Sequence, residues 1–373
     1  MTVNNFKECN FCLMDESVKG ISFDNYGQCN FCKSAKKRLS DEVYYKDKTE
    51  LKKLVSKIKK DGANKEFDCV IGISGGVDSS FVAYIVKKLG LRPIAVHLDN
   101  GWNTDLSISN INNLLDNLGI ELITHVIDWE EFKDLQIAFL RSSIANVEIP
   151  TDHAIGAILY KTATEHNIKY ILHGGNISTE SIMPSTWMES NLDLNLLKTI
   201  HKRFGSKKLK TYPQMGLLKM GYYTFFKKIK FIGILNYYDY KKEEAIETLE
   251  NEMNWKRYES KHFESIFTRW FQGYFLIKKF RIDKRKAHLS SLIVDDQMTR
   301  EEGKEILSKP PYKPEDAEND TAYIKKKLNI SDIEMENILS ADIKNDLNYS
   351  FTRKYLDLIN PLLKLAKRVA IGR

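Results

Sequence analysis

CVIGISGGVDSSF, residues 69–81, decides the fold, because it joins a strand pattern to a helix pattern through two glycines. The apolar run 69–73 predicts a buried strand, and the amphipathic run from Phe81 predicts a helix. Glycines let peptide N–H groups approach an anion, and a helix start adds unpaired N–H groups with partial positive charge. We therefore expect a phosphate-binding turn made of Ser74, Gly75, Gly76, Val77, Asp78, Ser79 and Ser80.

Asp78 sets this turn apart from the common phosphate loop. A Walker loop has Lys directly after its last glycine, where this chain has Val77. A carboxylate beside phosphates is repulsive unless a divalent cation lies between them, so we expect Asp78 to coordinate Mg²⁺. The loop resembles that of the ATP pyrophosphatases, enzymes that split ATP into AMP and pyrophosphate while activating a carbonyl oxygen.

Four of the five cysteines have the spacing of a structural metal site. Two Cys-x-x-Cys pairs are separated by sixteen residues and supply four thiols, from Cys9, Cys12, Cys29 and Cys32. Zn²⁺ held by four thiolates is tetrahedral and has no open position for catalysis, so the predicted role is to fold a small zinc ribbon. Iron is the alternative ion for four thiolates.

Composition indicates a globular protein of two or three domains. The chain has 373 residues, 42% of them hydrophobic, and a formal net charge of +7, which suits anionic ligands such as ATP. No uninterrupted apolar stretch approaches the roughly 18 residues that a membrane span needs, and the N-terminus lacks a secretion signal pattern. We expect a cytoplasmic protein.

The order of patterns along the chain predicts an α/β fold with a doubly wound parallel sheet. Strand runs at 69–73, 93–99, 121–127 and 169–173 alternate with helical runs, and from about Trp187 the chain becomes mostly helical. The predicted domains are a metal module (1–40), a helical linker (41–62), a nucleotide-binding domain (63–190) and a helical C-terminal region for substrate or partner (191–373).

Further candidate site residues follow from position. The second strand ends at His97 and Asp99, which would border the nucleoside, and a second glycine turn, Gly174, Gly175 and Asn176, should lie on the same rim. Asp152 stands at a helix start, as an N-cap or as a metal and substrate contact. His153 could act as a general base but fits a structural role better. Trp102 could stack on the nucleoside or lie in the core. Related adenylating enzymes fold a basic C-terminal segment over pyrophosphate, which suggests Lys279, Arg281 and Lys284.

The order of four cysteines, SGGVDSS, HLDNGW, PTDHA and HGGN resembles the N-acetyl sugar amidotransferase family within the PP-loop superfamily, most specifically from Cys9 to about Trp187. That resemblance implies an adenine nucleotide alpha hydrolase-like fold and the use of ATP and Mg²⁺. It also implies conversion of a sugar N-acetyl group, free or nucleotide-linked, to an acetamidino group with ammonia. The pathways implied are those of bacterial surface polysaccharides such as O-antigen and of nonulosonic acids.

The source of ammonia is predicted to be a second protein. A glutaminase site needs a nucleophilic cysteine, yet four are assigned to metal, Cys69 lies in a predicted buried strand, and position 2 is Thr2. The family resemblance implies a separate glutaminase subunit with a cyclase-like companion.

Two alternatives remain open at this level. A PP-loop tRNA-modifying enzyme, by thiolation or amine ligation, would use the same ATP chemistry, although we expect no nucleic-acid partner. The second alternative is a non-enzymatic nucleotide-binding scaffold. Asp78 argues against it, because phosphate binding alone gains nothing from a carboxylate. The stretch KMGYYTFFKKIK, residues 219–230, is expected to pack in the core rather than rest on a membrane surface.

Overall fold

In the part of the chain that the structure describes, a parallel sheet of five strands forms the centre of the protein. The computed structural model describes residues 6–41, 48–187, 189–259 and 263–350, so parts of the predicted linker and the end of the C-terminal region lie outside the described residues. The strands are β1 Cys69–Gly72, β2 Pro93–Asp99, β3 Glu121–Val126, β4 Tyr170–His173 and β5 Lys230–Gly233, in the order β3-β2-β1-β4-β5. Four of them match the predicted strands, and β5 was not predicted.

Fifteen α-helices within the described ranges surround and extend the sheet. They are α1 Asn30–Leu39, α2 Lys48–Asp61, α3 Val77–Lys88, α4 Asp105–Leu118, α5 Trp129–Ser142, α6 Ile149–Glu165, α7 Ile177–Glu180, α8 Leu194–Phe204, α9 Leu217–Gly221, α10 Lys242–Met253, α11 Ile266–Trp270, α12 Arg285–Val294, α13 Arg300–Ser308, α14 Pro314–Leu328 and α15 Asp332–Ser340. π-Helical turns extend α9 over Tyr222–Phe226 and α11 over Phe271–Phe280. Short 3₁₀ turns cover Ile234–Tyr237 and Asp346–Asn348.

Both faces of the sheet are buried because neighbouring residues of each strand point to opposite sides. In β1, Val70 belongs to the core shared with α5 and α6, whereas Ile71 belongs to the core shared with α2, α3 and α4. The two cores explain why the strands read as continuous apolar runs rather than as alternating ones. The predicted doubly wound α/β class is confirmed.

The strand order reverses between β1 and β4. From β1 the chain moves outward through β2 to β3, then returns through α5 and α6 to place β4 on the other side of β1. At such a switch point the loops after the two strands diverge and leave a crevice at their carboxyl ends. Both glycine turns therefore border one crevice.

The N-terminal module packs on C-terminal helices. Leu13 N–H donates to Ser290 Oγ at 3.1 Å, and Arg300 donates to the carbonyl of Cys9 at 2.9 Å. Among the described residues, no helix is both long and apolar enough to cross a bilayer.

The stretch 219–230 does not pack in the core as predicted. Tyr223 and Ile229 are buried, but Phe225 and Phe226 are each 78% exposed. The sequence could not show this, because neighbouring elements cover only one face of the helical turn.

Candidate functional site

The first glycine turn has the conformation that an anion-binding loop requires. Gly75 has φ +82°, a left-handed conformation, and a Cβ there would lie 2.8 Å from the carbonyl oxygen of Ser107. Gly76 is the N-cap of α3 and has no capping side chain, so the first N–H groups of this helix point toward the crevice. The turn can therefore bind negative charge through backbone donors.

Side chains hold this turn in shape. The hydroxyl oxygens of Ser74 and Ser79 lie 3.1 Å apart, and Ser79 Oγ accepts from the Ser74 N–H at 3.2 Å. The carbonyl of Gly75 accepts two hydrogen bonds of 3.0 Å, from Trp255 Nε1 and from the Tyr258 hydroxyl. Ser80 is fully buried and does not line the crevice, so its side chain belongs to the packing of α3.

Asp78 lies in the first turn of α3, opposite the second glycine turn. Its Oδ1 accepts a 2.5 Å hydrogen bond from the Tyr240 hydroxyl. Burial, and secondly the charge of Asp78, raise the pKa of Tyr240. A Cβ on Gly174 would lie 2.9 Å from the Asp78 carbonyl carbon, so glycine there is what lets the two turns approach each other.

The two turns line a cavity of about 380 Å³, here called the loop cavity, that also contains Glu180, Glu264 and Lys242. Five carboxylates line this cavity, of Asp78, Glu180, Glu243, Glu259 and Glu264, and together with serine hydroxyls they are oxygen ligands of the kind that Mg²⁺ prefers. Without a cation the same carboxylates would repel a triphosphate. This lining offers the ligand type of the predicted magnesium site at Asp78, but among the described residues only the four cysteines form a group of three or more such side chains whose ligand atoms lie within 4.8 Å of one another.

A second cavity of about 570 Å³, here called the carboxylate cavity, shares Ser74, Ser79, Glu180 and Glu264 with the loop cavity. It extends away from the loop to Glu148 and Asp152 on α6, one helical turn apart, and to Lys284. Burial, and secondly the charge of Glu148, raise the pKa of Asp152 to about 7. A carboxyl with this pKa exchanges protons near neutral pH.

The structure places the predicted nucleoside-binding residues in different surroundings, and only one of them lines either cavity. His97 is buried and lines the carboxylate cavity, with Nδ1 2.9 Å from the carbonyl of Ile73 and Nε2 3.0 Å from Asn103. Asp99 accepts from the N–H of Gly101 at 2.9 Å and is not among the residues that line either cavity. Trp102 is fully buried and donates to Gln136, so it is a core residue.

The second glycine turn contributes backbone rather than side chains. Gly174 and Gly175 line the loop cavity. Asn176 instead caps α7 by accepting from the Thr179 N–H at 2.9 Å. His153 is also structural, since its ring bonds the Asn191 carbonyl at 2.8 Å and accepts from the Met215 N–H at 3.1 Å.

The predicted basic segment reaches the site through a different residue. Lys279 is buried and donates to the carbonyls of Ile338 and Ala341, and Arg281 is an exposed residue with φ +59° that ends the π-helical turn. Neither residue lines the loop cavity or the carboxylate cavity, so the prediction that they contact the pyrophosphate is wrong. Lys284, 7% exposed, is the cation of this segment that lines the carboxylate cavity.

Several site residues were missed because no local motif marks them. Tyr240, Trp255, Tyr258 and Glu264 lie more than 160 residues beyond the loop that they contact or face. Glu148 had no such motif either, because it precedes the helix predicted to start at Asp152; in the structure it is the N-cap of α6.

The four cysteines form a buried cluster that fits zinc. Their Sγ atoms lie within 4.8 Å of one another, with 3.8 Å between Cys9 and Cys32 and between Cys12 and Cys29. Zn–S bonds of about 2.3 Å in a tetrahedron require S–S distances of about 3.8 Å. The Cys29 N–H approaches Cys9 Sγ at 3.2 Å, as expected for a sulfur that carries negative charge.

Two family models match separate parts of the chain. Residues 48–210 match the NAD synthase family, and residues 264–362 match the family described as LPS biosynthesis protein WbpG-like, C-terminal domain. The first match covers strands β1 to β4 and both glycine turns, and the second covers the segment that supplies Glu264 and Lys284.

Individual relatives are distant. A tRNA-specific 2-thiouridylase MnmA 2 from Fusobacterium nucleatum is 29% identical over 119 residues, which is 30% of this chain and about a third (34%) of that protein. An NMN synthetase structure from Francisella tularensis is 17% identical with a TM-score of 0.32, covering 77% of this chain and 95% of that one. An NH3-dependent NAD synthetase from Campylobacter jejuni is 17% identical with a TM-score of 0.29, covering 54% and 82%.

Proposed function

We propose, from the premise that the chain belongs to the WbpG-like PP-loop ATP pyrophosphatases, that it is an AMP-forming amidotransferase acting on an N-acetylated sugar. The observation that carries this proposal is the junction of the two cavities at Ser74 and Ser79. An anion-binding turn there opens directly into a partly open cavity whose lining includes carboxyl groups and one lysine. A site for nucleotide and a site for an acceptor thus share one wall.

In the proposed reaction the loop cavity binds ATP. The N–H groups at the start of α3 face the phosphates, and Asp78 would hold Mg²⁺, which would neutralise charge on the departing pyrophosphate. The amide oxygen of the sugar attacks the α-phosphorus, the bond to the β-phosphate oxygen breaks, and an O-adenylated imidate remains.

The second step takes place in the carboxylate cavity. Ammonia adds to the imidate carbon, and the C–O bond then breaks to release AMP and leave the acetamidino group. The attacking nitrogen must lose a proton, and Asp152 is suited to accept it because its pKa of about 7 lets it do so near neutral pH. Lys284 on the same wall would stabilise the negative charge of AMP.

We propose that a separate glutaminase, with a cyclase-like companion, supplies the ammonia. Two facts support this proposal. The four clustered cysteines fit a metal ion, and Cys69 is fully buried in β1, where burial raises the pKa of its thiol.

The test of the reaction is product analysis. The full chain is incubated with ATP, Mg²⁺, ammonium and a panel of free and UDP-linked N-acetylated sugars, and products are analysed by mass. A decrease of about 1 Da, from replacement of O by NH, together with stoichiometric AMP, is the expected result.

The same assay separates the alternative function. The partial match to a 2-thiouridylase favours a tRNA substrate as the second candidate. AMP formation with tRNA, and with none of the sugars, would replace the proposed substrate while keeping the ATP chemistry. Formation of ADP in place of AMP would refute both.

A further inference from the structure

The helical segment that precedes β5 presents apolar side chains to solvent. Leu218 is 94% exposed, Phe225 and Phe226 are each 78% exposed, and Tyr222 is 47% exposed. Lys219, Lys227 and Lys228 are exposed around them, and we call these seven residues the aromatic–lysine face. Exposed apolar groups in such number mark an interaction surface rather than ordinary surface composition.

The four apolar side chains share one side of the helix. Residues 218, 222, 225 and 226 follow helical spacing, and the rings of Tyr222 and Phe226 stack at 5.8 Å. The opposite side of the same turn holds the segment on the protein, since Tyr223 is buried and stacks on Tyr160 at 5.6 Å. The segment therefore has two apolar sides. One packs on the protein through Tyr223, and the other faces outward.

The charge along this part of the chain has one sign. Residues 194–238 contain ten Lys or Arg residues and no Asp or Glu, whereas the whole chain has a net charge of only +7. The positive charge of the protein is therefore concentrated in the part of the chain that carries the aromatic–lysine face. An acidic partner surface is complementary to it.

The face lies next to the carboxylate cavity. The segment runs directly into β5, the edge strand of the sheet, where Phe231 is 47% exposed. Phe231 also lines the carboxylate cavity and stacks on His173 at 4.2 Å. Whatever covers the aromatic–lysine face therefore lies beside that cavity.

We infer that the aromatic–lysine face binds the surface of an anionic lipid bilayer. Phenylalanine and leucine side chains on one side of a helix enter the boundary between headgroups and acyl chains, while flanking lysines pair with lipid phosphates. A nucleic acid would use the lysines, but it gains nothing from Leu218 at 94% exposure. This inference does not depend on the proposed reaction.

The test is flotation of the full chain with vesicles. We expect binding to vesicles of phosphatidylcholine with 30% phosphatidylglycerol, and little binding to phosphatidylcholine alone. The Lys227→Glu/Lys228→Glu variant should bind at least about 25-fold more weakly, because each surface lysine contributes about fivefold. The Phe225→Ser/Phe226→Ser variant should lose binding even at low salt.

Matched controls alter exposed residues elsewhere in the chain. Lys52→Glu/Lys326→Glu changes the net charge equally, and Ile333→Ser removes a side chain that is 72% exposed. Both should bind like the unaltered chain. The inference is overturned if the unaltered chain does not float with anionic vesicles, or if the face variants float as well as it does. It is also overturned if those variants weaken tRNA binding and leave vesicle binding unchanged.

Discussion

At the residue scale, Asp78 joins the phosphate turn to the rest of the site. Its carboxylate starts α3, accepts the Tyr240 hydroxyl and lines the loop cavity. These contacts orient one oxygen and leave the group beside the space where phosphates would lie. The arrangement suits a metal-binding carboxylate rather than a helix cap.

We expect Asp78→Asn to lower AMP formation at least about 100-fold, because the departing pyrophosphate would lose its cation. The fold should be unchanged, as judged by circular dichroism. Tyr240→Phe is the matched variant, because it keeps the Asp78 carboxylate and removes one hydrogen bond to it. It should lower AMP formation roughly tenfold. Unchanged AMP formation by the Asp78→Asn variant would contradict a role of Asp78 in binding Mg²⁺.

Asp152 makes stability depend on pH. Its pKa is about 7 in the folded protein and close to 4 in the unfolded chain, so the folded state binds the proton more tightly. This contribution is complete below pH 4 and is lost as the pH rises to 7. Asp152→Asn should therefore exceed the unaltered chain in unfolding free energy by an amount that grows to about 4 kcal/mol at pH 8.

Urea unfolding measured from pH 4 to 8 checks this expectation. Glu148→Gln is the companion variant, because it removes the charge that helps to raise the Asp152 pKa. It should therefore reduce the fall in unfolding free energy between pH 4 and 7. A stability difference that does not change with pH would contradict the assignment.

At the element scale, the glycine turns depend on close backbone contact. A Cβ at position 174 would lie 2.9 to 3.0 Å from the backbone of Asp78, whereas a Cβ at Gly221 has nothing within 4 Å. Gly174→Ala should therefore weaken ATP binding at least tenfold, as measured by calorimetry, and Gly221→Ala should bind normally. Equal affinities for both variants would show that the turns need not touch.

The cysteine cluster supports the helices of the C-terminal region. Its loops pack on α12 and α13 through Leu13 and Arg300, so loss of a metal ion should loosen more than the N-terminal module. We expect Cys12→Ser to lose bound zinc, measured by elemental analysis, and to lower the Tm by several degrees. Cys69→Ala should keep its zinc, since this residue lies in β1 and outside the cluster.

At the scale of the whole molecule, distant segments complete the site. Backbone hydrogen bonds join Thr104 to Glu264 at 3.0 Å and Ile266 to Trp102 at 2.9 Å, which fastens the start of the C-terminal helices onto the nucleotide-binding part. The pairing of Arg269 with Asp320, at 2.6 and 2.8 Å, holds α11 against α14. These contacts bring Lys284 and Glu264 to the rim of the sheet.

The nitrogen donor that the chain can use also depends on the whole molecule, because a glutaminase site would need a reactive cysteine somewhere in it. The purified chain should form the amidated product with ammonium chloride and none with glutamine alone, measured as AMP release. Cys69→Ala should not change the rate with ammonium, because its thiol is buried away from both cavities. Product formation from glutamine by this chain alone would mean that it contains a glutaminase site.

Local patterns were sufficient for four of the five strands, for the glycine turn after β1 and for the clustering of the four cysteines. Residues 69–81 encode strand, turn and helix through contacts between near neighbours, and β2 was predicted at its observed bounds, Pro93–Asp99. The cysteine pairs likewise carry their geometry in their spacing. In each case the interacting groups are close in sequence, so their pattern determines the structure.

Only the tertiary structure decided which distant side chains reach the site. Lys279 and Lys284 are equivalent in sequence terms, but the π-helical turn and the left-handed Arg281 between them reverse the chain, so one is buried under α15 and the other enters the carboxylate cavity. The outward position of Phe225 and Phe226 was decided in the same way. Packing between segments selects one face of each helix, and that choice depends on partners that the local sequence does not contain.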